Sequence, residues 1–307
     1  MGKSVMKKIC FIILNYNDAD TTIKLVDELK DWTVNDLHII VVDNQSIDGS
    51  FERLNERYCL VENIDILLSE KNGGYSYGNN FGSKYAIERY SPQYIAIANP
   101  DIQIDQTTFE KLLTTFDIDH SVAMVAPIMK STKGDYKIYS QTIPTYMDDL
   151  VACYHSSKSK TIIGKEFQYL NDEKNMVLTE MLPGSFFVLR TVCFEEIGLF
   201  DENVFLFCEE RILGNKLRDK GYKAVLRSDL FFVHAHSVSI KKSYDIIGTW
   251  KILMDSRYYY QKVYNHINFF QKRILKISMK IFLIKLHCIL LVYGKVKRWR
   301  KKGICRS

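Results

Sequence analysis

The sequence of 307 residues contains few residues that break regular structure, with only five prolines and fifteen glycines. Long disordered linkers are rich in these residues, so the chain has little room for them. The seven cysteines are scattered and form no Cys-x-x-Cys pair, which argues against a secreted disulfide framework and favours a reducing compartment. The first apolar run, residues 9–14, is too short for a signal peptide and is predicted to be a buried strand.

Acidic residues are missing from the end of the chain, where residues 256–307 contain fourteen Lys or Arg and no Asp or Glu. The first 255 residues carry 28 basic and 36 acidic side chains, so the net charge of +6 conceals an acidic body and a basic tail. Such a tail favours an anionic partner, either membrane headgroups or nucleic acid. A nucleic-acid reader interleaves aromatic and basic side chains on an ordered face. Trp299 alone gives this little support, so we expect no nucleic acid among the partners.

Short apolar runs alternate with segments of helical periodicity in the first hundred residues. The runs cover residues 9–14, 37–42, 64–68 and 94–98. Strands that alternate with helices predict βαβ units. We therefore expect an α/β domain over residues 1–240, with a mixed, mostly parallel sheet flanked by helices.

Polar residues directly follow several of the predicted strands. Asn15, Asp43 and Asp101 each come just after an apolar run. Ligands bind outside the carboxyl ends of parallel strands, so these three side chains are expected to line one crevice. Pro100 cannot donate to a sheet ladder and therefore fixes the strand end before Asp101. A carboxylate on such a corner can hold a hard divalent cation, although Asn-Pro-Asp is also a common turn sequence.

After about residue 240 the pattern becomes a long helical seam. Apolar residues recur at alternating steps of three and four between residues 267 and 291, with lysines between them. Residues 281–293 include Lys285 and fall short of the roughly 20 apolar residues that a spanning helix needs. We predict that residues 241–307 form a basic amphipathic helical extension lying on an anionic membrane surface. Helices docked on the body of the protein, or on a second subunit in a homodimer, are the alternative.

Six motifs in a fixed order resemble those of family 2 glycosyltransferases, and most of all the bacterial rhamnosyltransferase-type enzymes of surface-polysaccharide assembly. The resemblance covers residues 9–239. It implies a GT-A (Rossmann-like) fold and the transfer of a sugar, with inversion, from a nucleotide-diphosphate donor to a hydroxyl group. The motifs are FIILNYN, IIVVDNQSIDGS, NGGYSYGNNFG, IANPD, GSFFVLR followed by FEEIGLFDE and VFLFCEE, and VHAHSVS.

The resemblance implies that the donor and a cation bind at the strand ends and the loops that follow. The family usually writes its metal motif Asp-x-Asp, and here Asn99 takes the first position while Asp101 takes the second. The cation would be Mg²⁺ or Mn²⁺, held by Asp101 together with His234 or His236, which share one face of a predicted strand. The implied donor-binding residues are Asn15, Asn17, Asp43, Asn44, Asn79, Asn80, Asn99 and Asp101.

The glycine-rich stretch NGGYSYGNNFG does not fit a dinucleotide-binding fingerprint, because its spacing is wrong and it does not follow the first strand. We instead expect it to bring backbone close to the nucleotide or the diphosphate at a helix N-terminus.

Glu209 and Glu210 occupy the position of the family's catalytic acid pair. The pair is usually Glu-Asp, and its second member is the general base that takes a proton from the acceptor hydroxyl. Glu210 is the implied base, and Glu209 remains an alternative. Acidic residues are also favoured at a helix N-terminus by the helix dipole, without any catalytic role. Gly184 and Ser185 are expected to border the acceptor.

The donor sugar, its nucleotide and the acceptor are not readable from these residues. By resemblance we expect rhamnose from a dTDP donor, with UDP-sugars as the alternative, and a lipid-linked saccharide acceptor at the inner face of the plasma membrane. Nucleotidyl transfer onto a sugar phosphate is a rival, but its glycine-rich basic signature is absent from LNYNDAD after the first strand. A non-enzymatic membrane-surface protein is a second rival, and the acidic residues at positions 43, 101, 209 and 210 argue against it.

Overall fold

The computed structural model describes residues 8–34, 36–136, 140–154, 161–162, 167–235 and 246–304. The chain divides into two compact units, here called the sheet unit (residues 1–143 and 160–239) and the helical unit (residues 144–159 and 240–307). Residues 144–159 fall within the range 1–240 that the sequence assigned to the α/β domain, and they belong instead to the helical unit.

The sheet unit contains, in the described part of the chain, a sheet of nine strands in the order β3-β2-β1-β4-β10-β6-β11-β5, with β9 beside β11. Strands β3, β2, β1 and β4 are parallel, and β10 runs antiparallel to β4 and β6. A second small sheet pairs β7 with β8. The strands are β1 Ile9–Asn15, β2 Leu37–Asp43, β3 Ile64–Leu68, β4 Tyr94–Ala98, β5 Ile102–Gln103, β6 Val122–Ser131, β7 Ser140–Gln141, β8 Thr161–Ile162, β9 Met176–Thr179, β10 Phe186–Arg190 and β11 Lys223–His234.

Helices cover both faces of the large sheet, as the alternating pattern predicts, so the mixed, mostly parallel α/β architecture is confirmed. Both faces of β1 are buried: Phe11 and Ile13 belong to one core cluster, and Cys10 and Ile12 to the other. This is why the early strands read as continuous apolar runs. The helices are α1 Ala19–Lys30, α2 Ser50–Tyr58, α3 Gly74–Tyr90, α4 Gln106–Leu113, α5 Thr115–Ile118, α6 Tyr146–Ala152, α7 Thr191–Glu196, α8 Glu209–Asp219, α9 Ile246–Val263 and α10 Phe269–Ile304.

The helical unit is formed by α6, α9 and α10. Its core contains Met254, Leu275 and Met279, all nearly or completely buried. A buried polar contact joins α6 to α9, where the Gln261 amide donates to the Asp149 carboxylate over 2.7 Å. Helix α6 therefore packs against the C-terminal helices, which are about a hundred residues away in sequence. Local sequence pattern does not predict such a contact. No helix in the described residues combines the length and apolar character needed to cross a membrane.

Candidate active site

Two polar strand ends meet where β1 and β2 finish, because Asn15 and Asp43 are register partners in the parallel pair. The Asn15 amide donates to one Asp43 oxygen over 2.7 Å, and the Ser46 backbone N–H donates to the other over 2.8 Å. The Thr22 hydroxyl in turn donates to the side-chain amide oxygen of Asn15 over 2.8 Å. The side chains of Asn15 and Asp43 are fully buried. Asn15 therefore orients Asp43, and the sequence did not identify Ser46 as part of this arrangement.

The loop after β2 is fixed by Asn17 and Asn44. Asn17 lies in the left-handed region, at φ 53°, and its side chain accepts from the Ile47 backbone N–H over 2.8 Å. The Asn44 amide donates to the Gly74 carbonyl over 3.2 Å and to the Asn72 side chain over 3.1 Å. Asn44 thus connects the end of β2 to the first turn of α3.

Helix α3 carries the two asparagines that were predicted to bind the donor. Asn79 is buried and donates to the Tyr75 carbonyl over 2.9 Å, and its own carbonyl oxygen has no hydrogen-bond partner among the described residues. Asn80 donates to the Phe200 carbonyl and accepts from the Phe200 backbone N–H, both over 3.0 Å. The geometry gives Asn80 a structural role, since both of these hydrogen bonds fix the backbone of the segment that follows α7.

The glycine-rich stretch makes a close backbone contact within the protein. Gly74 has φ 84°, and a Cβ atom built on it would lie 1.9 Å from the Phe205 carbonyl oxygen. The next residue, Tyr75, donates its backbone N–H to that oxygen over 3.0 Å. The close approach that we expected to serve a nucleotide or a diphosphate is thus made to the segment that leads into α8.

A carboxylate and an imidazole meet at the ends of β4 and β11. His234 pairs with Ile102 across β11 and β5, and its Nε2 lies 3.1 Å from Asp101 Oδ1. The Asp101 carbonyl also accepts from the Ala235 backbone N–H over 2.9 Å. The described residues contain no group of three or more His, Cys, Asp and Glu side chains suited to a metal. His236 lies outside the described residues.

The segment before β10 joins this corner to the acidic pair. Asn99 donates its backbone N–H to the Ser185 carbonyl over 2.8 Å. A Cβ atom on Gly184 would lie 2.6 Å from a carboxylate oxygen of Glu210, so a side chain at this position would displace that carboxylate. The Gly184 backbone N–H donates to this carboxylate, which lowers the Glu210 pKa.

Glu209 and Glu210 begin α8 directly after two residues in the left-handed region, Phe207 and Cys208, each with φ 70°. Such backbone is costly for residues other than glycine and is concentrated at functional sites. Glu209 is buried, and one of its carboxylate oxygens has no hydrogen-bond partner within the described residues. It faces a closed pocket with no room for a water molecule, lined by Tyr75, Met124, Leu182, Phe187, Phe200, Glu209, Glu210 and Leu213.

The two carboxyl groups differ in how their charge is supported. Burial, together with the charge of Glu210, raises the pKa of Glu209 to about 8. Burial also raises the pKa of Glu210, but its own N–H, Arg211 and the Gly184 N–H oppose that rise. The Gly184 N–H and Arg211 therefore favour a charged Glu210, while a Glu209 carboxyl with a pKa of about 8 is mostly protonated at pH 7.

A comparison with known protein families shows which family the chain belongs to. The model of glycosyl transferase family 2 matches residues 10–198, more than half of the chain. The chain belongs to glycosyl transferase family 2. The match contains the strand ends at Asn15, Asp43 and Asp101 and the Gly184-Ser185 segment, and α8 lies just beyond it.

Several curated relatives of this glycosyltransferase resemble it at low identity. The low-salt glycan biosynthesis hexosyltransferase Agl10 of Haloferax volcanii is 23% identical over 215 residues, which cover 68% of this chain and 61% of that relative. An N-acetylglucosaminyl-diphospho-decaprenol L-rhamnosyltransferase of Mycobacterium tuberculosis is 22% identical over 239 residues, covering 74% and 76%. Rhamnosyltransferase WbbL of Escherichia coli is 24% identical over 210 residues, covering 66% and 74%.

Solved structures with the GT-A fold resemble the glycosyltransferase as well. GalNAc-T7 with UDP, GalNAc and Mn²⁺ gives a TM-score of 0.62 at 13% identity, covering 89% of this chain and 55% of that one. The mannosyltransferase PcManGT from Pyrobaculum calidifontis, with GDP-Man and Mn²⁺, gives a TM-score of 0.52 at 14% identity. The match covers 96% of this chain and 84% of that one. At these identities the likeness shows the fold, which is the predicted GT-A fold.

Proposed function

We propose that this family 2 glycosyltransferase is an inverting enzyme that transfers a sugar, with rhamnose the first to test, from a dTDP- or UDP-linked donor to a hydroxyl of a lipid-linked saccharide. The sheet unit would be its catalytic domain, and the product would enter a bacterial cell-surface polysaccharide. The observation that carries this proposal is the contact between Gly184 and Glu210, because it joins the strand-end corner to the acidic pair.

The nucleoside of the donor would lie against Asp43 and Asn44. A carboxylate in this position accepts hydrogen bonds from base N–H or ribose hydroxyl groups, and Asn15 and Ser46 hold Asp43 in one orientation. Asn17 lies in the loop that borders them, and Asn79 would offer its carbonyl oxygen from α3. The diphosphate would then extend toward Asn99 and Asp101.

Asp101 and His234 fit a divalent cation such as Mg²⁺ or Mn²⁺. Carboxylate oxygen and imidazole nitrogen are both ligands for Mn²⁺, and the two atoms already lie 3.1 Å apart at one corner. When bound, the ion stabilises negative charge on the departing diphosphate. GalNAc-T7 and PcManGT were both solved with Mn²⁺, which supports this reading.

Glu210 would be the general base, and two facts support this assignment: it is the second member of the acid pair, and its carboxylate lies against Gly184. Its carboxylate takes the proton of the acceptor hydroxyl as that oxygen forms a bond to the anomeric carbon. The bond from this carbon to the diphosphate breaks at the same time, and its electron pair leaves with the nucleoside diphosphate. Attack from the face opposite the leaving group inverts the anomeric configuration. Ser185 and Gly184 would border the acceptor beside Glu210.

The acceptor class rests on the relatives. The mycobacterial relative is named for an N-acetylglucosaminyl-diphospho-decaprenol acceptor, and two of the relatives are named rhamnosyltransferases. A polyprenyl-linked acceptor lies at a membrane, so an enzyme that uses it needs to work at a membrane surface.

The exposed face of α10 suits such a surface. Five of its apolar side chains recur at steps of four and three and are about half exposed or more: Phe270, Ile274, Ile277, Ile281 and Ile284. The opposite face, with Leu275 and Met279, is buried in the helical unit. Lys276, Lys280 and Lys285 lie beside the exposed stripe. Apolar stripes flanked by lysine are typical of helices lying on anionic lipid.

Charge favours a membrane over a second copy of the chain. The same stripe has the spacing of a coiled-coil seam. Residues 256–307 contain no acidic residue, so two such helices would bring lysines together with no carboxylate partner. We therefore propose that the enzyme is peripheral on the anionic inner face of the plasma membrane.

A donor and acceptor screen tests the catalytic proposal. Purified full-length protein is incubated with a panel of nucleotide sugars, Mg²⁺ or Mn²⁺ and a short-chain polyprenyl diphosphate N-acetylglucosamine. We expect one donor to give a glycosylated lipid with inverted configuration, read by mass spectrometry and NMR. Pyrophosphate release from a nucleoside triphosphate and a sugar phosphate, with no glycosylated lipid, would instead establish nucleotidyl transfer.

Vesicle flotation tests the membrane face. The double variant Ile277→Glu with Ile281→Glu should lose binding to phosphatidylglycerol vesicles at least ~10-fold, because it places carboxylates in the apolar stripe. The matched control, Leu60→Glu with Val192→Glu, changes the charge equally at two exposed sites of the sheet unit and should float like the wild type. Equal flotation of both variants, or dimerisation of the wild type without vesicle binding, would refute the membrane assignment.

A further inference from the structure

We infer that Tyr75 is a positioning residue whose hydroxyl holds Gly184, and through it the Glu210 carboxylate, in the orientation that sugar transfer requires. The catalytic role in this inference rests on the proposed function. Its structural basis is a set of contacts that Tyr75 makes to both segments flanking the catalytic carboxylate.

The first contact is made by the side chain. The Tyr75 hydroxyl donates to the Gly184 carbonyl over 2.6 Å, between residues 109 positions apart in sequence. Gly184 also donates its N–H to the Glu210 carboxylate. Glycine has more backbone conformational freedom than any other residue. Its N–H therefore keeps one orientation only when hydrogen bonds fix the neighbouring peptide groups. Tyr75 holds one side of Gly184, and Asn99 holds the neighbouring Ser185 carbonyl over 2.8 Å.

The second contact is made by the Tyr75 backbone. Its N–H donates to the Phe205 carbonyl over 3.0 Å, in the segment that leads through the left-handed residues Phe207 and Cys208 into α8. The Tyr75 ring also packs edge-on against Phe200, with ring centres 5.8 Å apart. One residue thus fixes both the segment that donates to Glu210 and the segment that carries it.

The Tyr75 hydroxyl is also kept in its donating form. Burial raises the Tyr75 pKa well above its ordinary value, and the charges of Glu210 and Glu209 add to that rise. The titratable and charged groups that act on Glu210 are Glu209, Tyr75 and the opposing cation Arg211. Since Tyr75 stays neutral over any assay range, its effect on Glu210 acts through the geometry of Gly184.

The variant Tyr75→Phe removes this hydroxyl and keeps the ring. A loosened Gly184 N–H supports the Glu210 carboxylate less well, so the Glu210 pKa should rise. We expect kcat to fall ~10-fold or more with the donor KM within ~3-fold, and the acid limb of the kcat profile to move to higher pH. A merely structural loss would lower the amount of active enzyme without moving that limb.

The control variant is Tyr77→Phe, which removes a hydroxyl two residues along α3 that makes no hydrogen bond within the described part of the chain. It should match the wild type in kcat and in pH profile. Carboxyl-carbon NMR of ¹³C-labelled glutamate gives a second readout that needs no substrate, with the Glu210 signal assigned by its loss in Glu210→Gln. Its titration midpoint should rise in Tyr75→Phe and stay constant in Tyr77→Phe.

The two readouts separate the possible failures. If the wild type transfers a sugar but Tyr75→Phe leaves both the kcat profile and the Glu210 titration unchanged, the positioning role is wrong and the proposed function stands. If no donor is transferred but the NMR midpoint moves as expected, the contact is established and the proposed function is wrong. An equal shift in both tyrosine variants would refute the specific role of Tyr75.

Discussion

Exchanging each member of the acidic pair for its amide gives the sharpest test of the mechanism. Glu209→Gln and Glu210→Gln are nearly isosteric changes at adjacent positions of α8, so each serves as the control for the other. Glutamine at position 210 can still accept from the Gly184 N–H through its amide oxygen, which preserves the local geometry. The properties lost there are the negative charge of the carboxylate and, with it, the ability to take a proton.

The expected magnitudes follow from the raised pKa of Glu209 and from the proposed role of Glu210. With a pKa of about 8, about nine-tenths of the Glu209 carboxyls are protonated at pH 7, so a neutral amide resembles the state already present. We expect Glu209→Gln to keep kcat within ~3-fold of the wild type. Glu210→Gln should lower kcat by a factor between ~10² and ~10⁴, which is about 3 to 5 kcal/mol of activation free energy.

The assay measures single-turnover transfer at pH 7 and donor affinity by calorimetry. Donor affinity should remain unchanged in both variants, because Glu210 acts on the acceptor while Asp43 and Asn44 hold the donor. A large loss of kcat in Glu209→Gln with activity retained in Glu210→Gln would exchange the two roles. A loss of donor binding in Glu210→Gln would overturn the assignment of a base that acts only on the acceptor.

Three further predictions concern the surroundings of this pair. Gly184→Ala should lower kcat by ~10-fold or more without unfolding the protein, because its Cβ would lie 2.6 Å from a Glu210 oxygen and displace that carboxylate; circular dichroism and kinetics measure the two effects. Chelation with EDTA should abolish transfer and added Mn²⁺ should restore it, whereas Asp101→Ala should show no recovery, and transfer that is insensitive to EDTA would contradict the cation site. Glu209 has a raised pKa in the folded state, so its contribution to stability is complete below about pH 4.5 and is lost as pH rises toward 8. The wild type should therefore lose on the order of 3 kcal/mol from this group between pH 4.5 and pH 7, Glu209→Gln should have a flatter pH dependence in urea unfolding, and equal slopes would show that the group is not buried as described.

The strand ends were readable in the sequence because their signals are local. Each buried strand is an apolar run that stops at a polar residue, so Asn15, Asp43 and Asp101 identify themselves within a few positions. Parallel order then brings the three ends to one edge of the sheet. The start of α8 at Glu209 was equally visible, since two acids precede a helical pattern.

Other features depended on partners that sequence pattern does not indicate. The GGY stretch signals a helix start, but its close backbone contact proved to be with Phe205. Asn80 belongs to the same motif and clasps Phe200, which lies 120 residues further along. Helix α6 was not identified from the sequence, because its apolar face is short and its partners Met254 and Leu275 lie in the C-terminal helices.

The sequence by itself determined the α/β class, the family and the polar ends of the strands, because periodicity, strand ends and motif order are properties of neighbouring residues. The tertiary structure decided the tasks of the individual side chains. It distinguished Glu210 from Glu209 through one backbone N–H, and it joined Tyr75 to Gly184 across 109 positions. Hydrogen bonding and desolvation depend on which atoms meet in space, and those atoms come together only when the chain has folded.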